Sequence, residues 1–315
     1  MISFSRILVG IDLSHSDRIV SENLSDHCNQ AVIRATDLAK AKGGEITFFT
    51  TLEISEQARH LIEEKESEIT SSVEVEATRV LEKLVAQAEA EGVKASCKVT
   101  FGTSWEQIIR EAICSKQTLV IVGRRGSRST RRFFFGKTVT KLIRKCPVPV
   151  LIAKPGPVRE VETILVADDF SDIDETVLDA GVQLAQLKMA RLHVVHVIEE
   201  EGQGFFGGTS REEAAKLEAK ERETAEAEIN ERLSRTDYRT LVHGTKVHVE
   251  VGSPEEVILD LIESETVDLM VIGSVGRSGI SAMLLGSTAE RLLSTADSSL
   301  LIIKPEDFVC PVKVD

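Results

Sequence analysis

Two sets of glycines in this chain share one spacing. Gly123-x2-Gly126-x9-Gly136 and Gly273-x2-Gly276-x9-Gly286 lie 150 residues apart, each after an apolar run. Glycine accepts positive φ and lets a backbone approach a ligand with no Cβ in the way. In the second copy Gly286 is followed by Ser287-Thr288 and a helical pattern. The unpaired N–H groups of a helix start would there face phosphate oxygens, with two hydroxyls beside them. The competing reading is that the glycines only shape turns and Ser287 only caps the helix. Identical spacing in two copies favours the anion cradle, because a turn needs no such spacing.

The elements that must position these glycines are duplicated as well. Arg6 to Ser14 matches Thr163 to Ser171 at an offset of 157, which aligns Asp12 with Asp169; Phe101 to Glu106 matches Val251 to Glu256 at 150. Each copy is near the common size of one domain, so domains over 1–154 and 160–315 are expected, joined at Lys154-Pro155-Gly156-Pro157. Apolar strand-like runs alternate with amphipathic helices, the pattern of a parallel α/β sheet covered on both faces. In the second copy the pattern predicts strands over 163–168, 191–197, 245–251, 268–273 and 299–304, and helices near 174–189, 211–234, 254–265 and 287–295. Asp169 and the glycine loop meet only if the first and fourth strands are neighbours, which creates the switch point where open α/β sheets bind ligands. A carboxylate after a strand also often makes an Asx-turn, and that reading of Asp169 stays open.

The Gly-x2-Gly-x9-Gly-Ser/Thr pattern, Asp169-Phe170-Ser171 at the first strand's end, and Pro147-Val148-Pro149-Val150-Leu151 together resemble the universal stress protein family over nearly the whole chain. The resemblance implies two tandem domains, each an open five-stranded parallel sheet of order 3-2-1-4-5. It also implies an adenine nucleotide (ATP, ADP or AMP), with magnesium, between strands one and four. Asp169 would then sit near the adenosine half, and the main chain of Leu192 would read the adenine edge. Gly273, Gly276, Gly286, Ser287 and Thr288 would hold the phosphates. A regulatory or protective role in stress is implied rather than fast turnover, so no catalytic residue is assigned; a slow ATPase and a scaffold for another anionic ligand are the alternatives.

The first copy departs from the pattern. It keeps Asp12, Gly123, Gly126 and Gly136, but Lys137 stands where the family has Ser or Thr, with Thr138 following. Gly136-Lys137-Thr138 is not a Walker loop, since Arg131 occupies the position that needs a glycine. Lys137 either offers a phosphate a point charge or fills the pocket. Nine basic residues and no acidic one lie from Gly123 to Lys145: Arg124, Arg125, Arg128, Arg131, Arg132, Lys137, Lys141, Arg144 and Lys145. On a chain of net charge −13 this patch suits an anionic partner. Phe133–Phe135 within it are read as packing against the sheet or a partner, with several of the arginines solvated; stacking on bases is the lesser alternative, and the acidic total argues against a dedicated nucleic-acid binder.

The five cysteines form no C-x-x-C pair and no zinc spacing, which fits reduced thiols. His27 and Cys28 near Asp26 are weak metal candidates, and His193, His196 and His248 read as strand packing, so no metal site is expected. No run is long and apolar enough to be a membrane span, and a cytoplasmic protein is expected. The segments 53–91 and 211–235 read as exposed, ion-paired helices, and Gly202 to Gly208 reads as a flexible loop. The apolar strand Val148-Pro149-Val150-Leu151 suggests that the halves pair intramolecularly in the manner of a family dimer, with higher oligomers left open.

Overall fold

The computed structural model describes residues 3–14, 20–53, 67–125, 136–157, 159–171, 173–199, 211–274 and 286–313. They fall into two compact units, Ser3–Val158 with Phe308–Asp315, and Arg159–Asp307. The first carries strands β1 (Arg6–Gly10), β2 (Glu45–Leu52), β3 (Lys94–Phe101), β4 (Leu119–Gly123) and β5 (Val150–Ala153). Its helices are α1 (Asp26–Lys42), α2 (Ser67–Ala90), α3 (Ser104–Cys114) and α4 (Lys137–Lys145). The second carries β6 (Thr163–Ala167), β7 (Arg191–Ile198), β8 (Thr245–Val251), β9 (Leu269–Gly273) and β10 (Ser299–Ile303). Its helices are α5 (Asp174–Lys188), α6 (Arg211–Ser234), α7 (Pro254–Ser264) and α8 (Ser287–Thr295). Every strand and helix expected in the second half is present, with ends moved by a residue or two.

All pairings within each unit are parallel, and they give the order β3-β2-β1-β4-β5 in the first and β8-β7-β6-β9-β10 in the second. Both read 3-2-1-4-5. The central runs Ile7-Leu8-Val9, Leu119-Val120-Ile121 and Ile164-Leu165-Val166 are fully buried, as strands covered on both faces must be. The outermost strands differ: β3 exposes Lys94, Ser96 and Lys98 in alternation and β8 exposes Lys246, so polar side chains blunt these edges.

α6 read in sequence as an exposed, ion-paired helix. It lays a thin stripe of Ala225, Ile229 and Leu233 on the core and carries i,i+4 ion pairs Glu218–Arg222, Glu228–Arg232 and Glu231–Arg235 on its other faces. The repeat reaches into backbone geometry too. Gly102 (φ 122°) and Gly252 (φ 146°), 150 residues apart, open α3 and α7 from conformations that L side chains rarely adopt.

Gly123 answers to a different constraint. A Cβ there would lie 2.1 Å from the His27 carbonyl oxygen, so the first turn of α1 rests directly on the end of β4. Backbone cannot swing aside as a flexible side chain can. Gly123→Ala is therefore expected to destabilise the first unit by about 2 kcal/mol or more, measured as a lower urea midpoint; an unchanged midpoint would mean that α1 shifts freely.

Candidate functional site at the carboxyl ends of the strands

In each unit the first strand lies between the second and the fourth, so the loops leaving strands one and four flank one crevice. In the second unit Asp168 N donates to Val195 O (2.9 Å), carrying the ladder one residue past β6. The next side chains then diverge. Asp168 points inward and is 3% exposed, its Oδ1 accepting from Phe170 N at 2.8 Å. Asp169 is half-buried, and its Oδ1 accepts from Ser171 N at 3.1 Å, the local turn its residue type favours. Phe170 is held at φ 61°, a strained value for a side chain of its size.

Two groups from distant elements hold that strained turn. His196 of β7 stacks on the Phe170 ring (centroids 4.0 Å apart, 19° between planes), and its Nδ1 lies 2.8 Å from Asp168 O. A carbonyl only accepts, so Nδ1 carries the proton. The Arg232 guanidinium of α6 sits over the Phe170 ring, 5.0 Å from its centre, and 3.8 Å from Asp168 Oδ1. The sequence pointed to Asp169 and read His196 as strand packing; it did not join Asp168, Phe170, His196 and Arg232 into one set. Nothing in the pattern of a polar helix marks which arginine reaches the sheet.

Across the crevice, Ser274 follows Gly273 off β9 and donates its N–H to Ile303 O (2.9 Å), while Gly286 N donates to Ser274 O (3.1 Å). The start of α8 is thus tied to the end of β9. Gly286 is the cap, with φ −57° and ψ 145°, so this glycine is not needed for positive φ. Ser287 and Thr288 open the helix, and Thr288 is half-buried. Ser274 is fully buried, and its hydroxyl has no hydrogen-bond partner among the described residues. Gly276 and the rest of 275–285 lie outside the described residues.

Leu192 is not brought to this crevice. Its place is the start of β7, paired in register with Ile164 and Thr245, where both main-chain faces serve the ladder. With about 3.3 Å per residue, that puts it roughly 15 Å from Asp169, at the opposite end of the strands. The residues of β7 that reach the carboxyl edge are Val197 and Ile198, the latter's carbonyl accepting from Gly252 N.

The first unit repeats the frame with different chemistry. Asp12 Oδ1 accepts from Ser14 N (3.0 Å) and Ser14 Oγ (2.5 Å), the same turn as at Asp169. Its second oxygen is taken by Arg125, which arrives from the loop after β4. Burial alone would raise the Asp12 pKa, but the hydrogen bonds from Ser14 and the Arg125 guanidinium outweigh it and hold the carboxyl below the ordinary value. Cys28 lies beneath, buried, its Sγ 3.4 Å from Asp12 N, with burial pushing the thiol pKa up. His27 engages Ser25 Oγ at 3.1 Å. Both, named above as weak metal candidates, are engaged with neighbouring residues at the start of α1 and the Asp12 turn.

Gly136 caps α4 (φ −61°, ψ 156°), and a Cβ there would meet nothing within 4 Å. Lys137 is exposed and Thr138 half-buried at that helix start. Among the described residues of the basic patch, only part of the charge faces solvent. Arg124 is 1% exposed and belongs to the interior, Arg125 is paired with Asp12, and the Lys145 ammonium sits 4.5 Å from the centre of the Trp105 ring. Lys137 and Lys141 remain as exposed cations, while Gly126, Arg128, Arg131, Arg132 and Phe133–Phe135 lie outside the described residues.

A parallel sheet of order 3-2-1-4-5, duplicated, with a glycine-capped helix after the fourth strand and an aspartate after the first, defines a class of doubly wound α/β proteins. The family model described as "Universal stress protein family" matches residues 3–154 and again 160–304, and the chain belongs to that family. Over 237 residues it is 30% identical to "Universal stress protein E" of Salmonella typhi, covering 71% of this chain and 73% of the relative. The protein of that name from Photorhabdus laumondii is 23% identical across 99% of both chains. The fold matches a universal stress protein from Archaeoglobus fulgidus DSM 4304 with a TM-score of 0.67 at 22% identity, covering 95% of this chain and 97% of that one. No helix among the described residues is long and apolar enough to cross a membrane.

The Asp12–Arg125 pair gives a direct test of the first crevice. Because the folded carboxyl titrates below its unfolded value, its stabilising contribution is present above the unfolded pKa and fades as pH falls through the lower folded one. Arg125→Gln should raise the Asp12 pKa in a carboxyl NMR titration. An unchanged value would mean that the pair does not form in solution.

Proposed function

We propose that the second unit binds an adenine nucleotide at the carboxyl ends of its strands, with a regulatory or protective role in the stress response rather than fast turnover. The observation that carries this is the convergence of three features from separate elements. The first-turn amides of α8 have no intrahelical acceptors, as in any α-helix, and they start from Gly286, where the chain is tied to Ser274. The buried Ser274 hydroxyl lacks a partner among the described residues, a costly state for a polar group unless a ligand completes it. Asp169 lies at the end of the strand beside β9, within the same crevice.

In this reading the amides of Ser287 and Thr288 and the neighbouring hydroxyls receive the phosphates. Gly273, Gly276 and Gly286 keep side chains out of the way, and Asp169 faces the ribose side. The adenine would lie towards the end of β7, at Val197 and Ile198 rather than Leu192. Magnesium would be carried by the phosphates. ATP, ADP and AMP all share the groups this site would contact.

The first unit is the poorer host. Arg125 already neutralises Asp12, whereas the matching position of the second half is Val275, which has no charge to offer. Lys137 and Lys141 leave α4 able to attract an anion electrostatically, so occupancy there would follow ionic strength more steeply.

Isothermal titration of the purified chain with ATP or AMP, magnesium present, should give saturable binding of one nucleotide. Gly286→Val should weaken it at least tenfold, about 1.4 kcal/mol, and Gly136→Val should leave it unchanged. Absence of saturable binding, or equal affinity in Gly286→Val, would overturn the assignment.

A further inference from the structure

The second unit holds a second constellation at the other end of its sheet, away from the nucleotide crevice. His193 of β7 and His248 of β8 project from the same sheet face, the face on which α7 ends at Glu265. His248 Nε2 lies 3.1 Å from His193 Nδ1, and Glu265 Oε2 lies 4.0 Å from the same His193 nitrogen. One ligand atom from each of the three falls within 4.8 Å of the others. The rings are stacked at 5.1 Å and nearly buried, at 5% and 8% exposure. We propose that His193, His248 and Glu265 form a binding site for a zinc-class divalent metal ion.

The donor set is the first ground. Two imidazoles and a carboxylate suit zinc and its borderline neighbours rather than calcium or magnesium, which prefer all-oxygen shells. Geometry is the second. A tetrahedral ion with bonds of about 2.0–2.1 Å spaces its ligand atoms about 3.3–3.4 Å apart. The observed 3.1 and 4.0 Å bracket that spacing and all three atoms fall within 4.8 Å, so the two rings already stand at ligand spacing and the Glu265 carboxylate would close inward by about an ångström.

The second shell and the access route are the third. Lys246 Nζ holds Glu265 Oε1 at 2.5 Å, which fixes the carboxylate and leaves Oε2 turned to the rings. Lys246 is also a competing cation, but its side chain is 59% exposed and water screens it. Glu265, but neither histidine, borders an open depression of about 570 Å³ with Thr163, Arg191 and Asp268 on its walls, so the site is reached from its carboxylate side. Burial lowers the pKa of both histidines, in the direction that favours the neutral ring.

The first unit serves as an internal control. Register and repeat offset put Thr47, Lys98 and Ser115 where the second has His193, His248 and Glu265. There Thr47 meets Ser96 (3.3 Å) and Lys98 pairs with Glu111 (2.5 Å), an arrangement with no imidazole at all. The fold itself therefore does not call for a histidine pair at this place. A metal-free hydrogen bond between the two rings is the competing account, and it needs no carboxylate nearby.

The test is zinc titration into the full chain after dialysis against a chelator, in competition with a chromophoric zinc indicator. The wild type should take up one zinc more per chain than His193→Gln/His248→Gln. Glu265→Gln, which leaves both rings in place, should weaken that zinc at least tenfold. Cobalt(II) should give a tetrahedral visible absorption spectrum in the wild type and not in the double variant, with both folded by circular dichroism. Equal zinc uptake by wild type and double variant would assign any bound metal to the cysteines and overturn the proposal, as would full affinity in Glu265→Gln.

Discussion

The parallel ladder between the first and fourth strands of each unit is the contact on which everything else depends. In the second unit it runs Ile164–Leu269, Leu165–Met270 and Val166–Val271, in the first Ile7–Leu119 through Gly10–Val122. These strands are buried on both faces, so their hydrogen bonds cannot be exchanged for water and their register is fixed by packing. Because the chain leaves them in opposite directions, one end of the pair is left uncovered. Asp169 and the Gly286 cap stand at the same end of that ladder, one after each of its two strands.

The duplication then shows how much chemistry one frame allows. At the carboxyl edge the aspartate and its turn are kept in both halves, but Arg125 closes the first onto Asp12. At the amino edge the first half has Lys98 paired with a buried Glu111, and the second has a histidine pair beside Glu265. Backbone geometry is the conservative part: Gly102 and Gly252 share positive φ, as do Lys116 and Thr266, each pair 150 residues apart. Side chains at the strand ends are the variable part, since they carry little of the core.

Much of this was legible in the sequence because parallel strands must be continuously apolar and helices must begin after them. The runs at 163–168 and 268–273 could hardly fold otherwise, and the strand order followed from the family pattern. The glycine spacing correctly marked both helix caps, but it misattributed Gly123, whose need is the close approach of α1. Leu192 was misplaced because a main-chain role leaves no side-chain signature, and only the register tells which residue of β7 stands at the carboxyl edge. Arg124 looked like surface charge because arginines usually are. Arg232 and the His193–His248–Glu265 group were invisible for one reason: each joins residues from separate elements, and spacing along the chain carries no record of such meetings.

The account centres on one location, the carboxyl edge of the second sheet, so the most direct measurement maps where a nucleotide acts. Backbone amide spectra of the isotopically labelled chain, recorded on addition of AMP or ATP with magnesium, report each residue separately. The account predicts shifts of the Ser171, Thr288 and Ala289 amides that saturate together, with Leu192 and Thr245 unmoved. Shifts confined to the amino edge or to the first unit, or none at millimolar nucleotide, would contradict it.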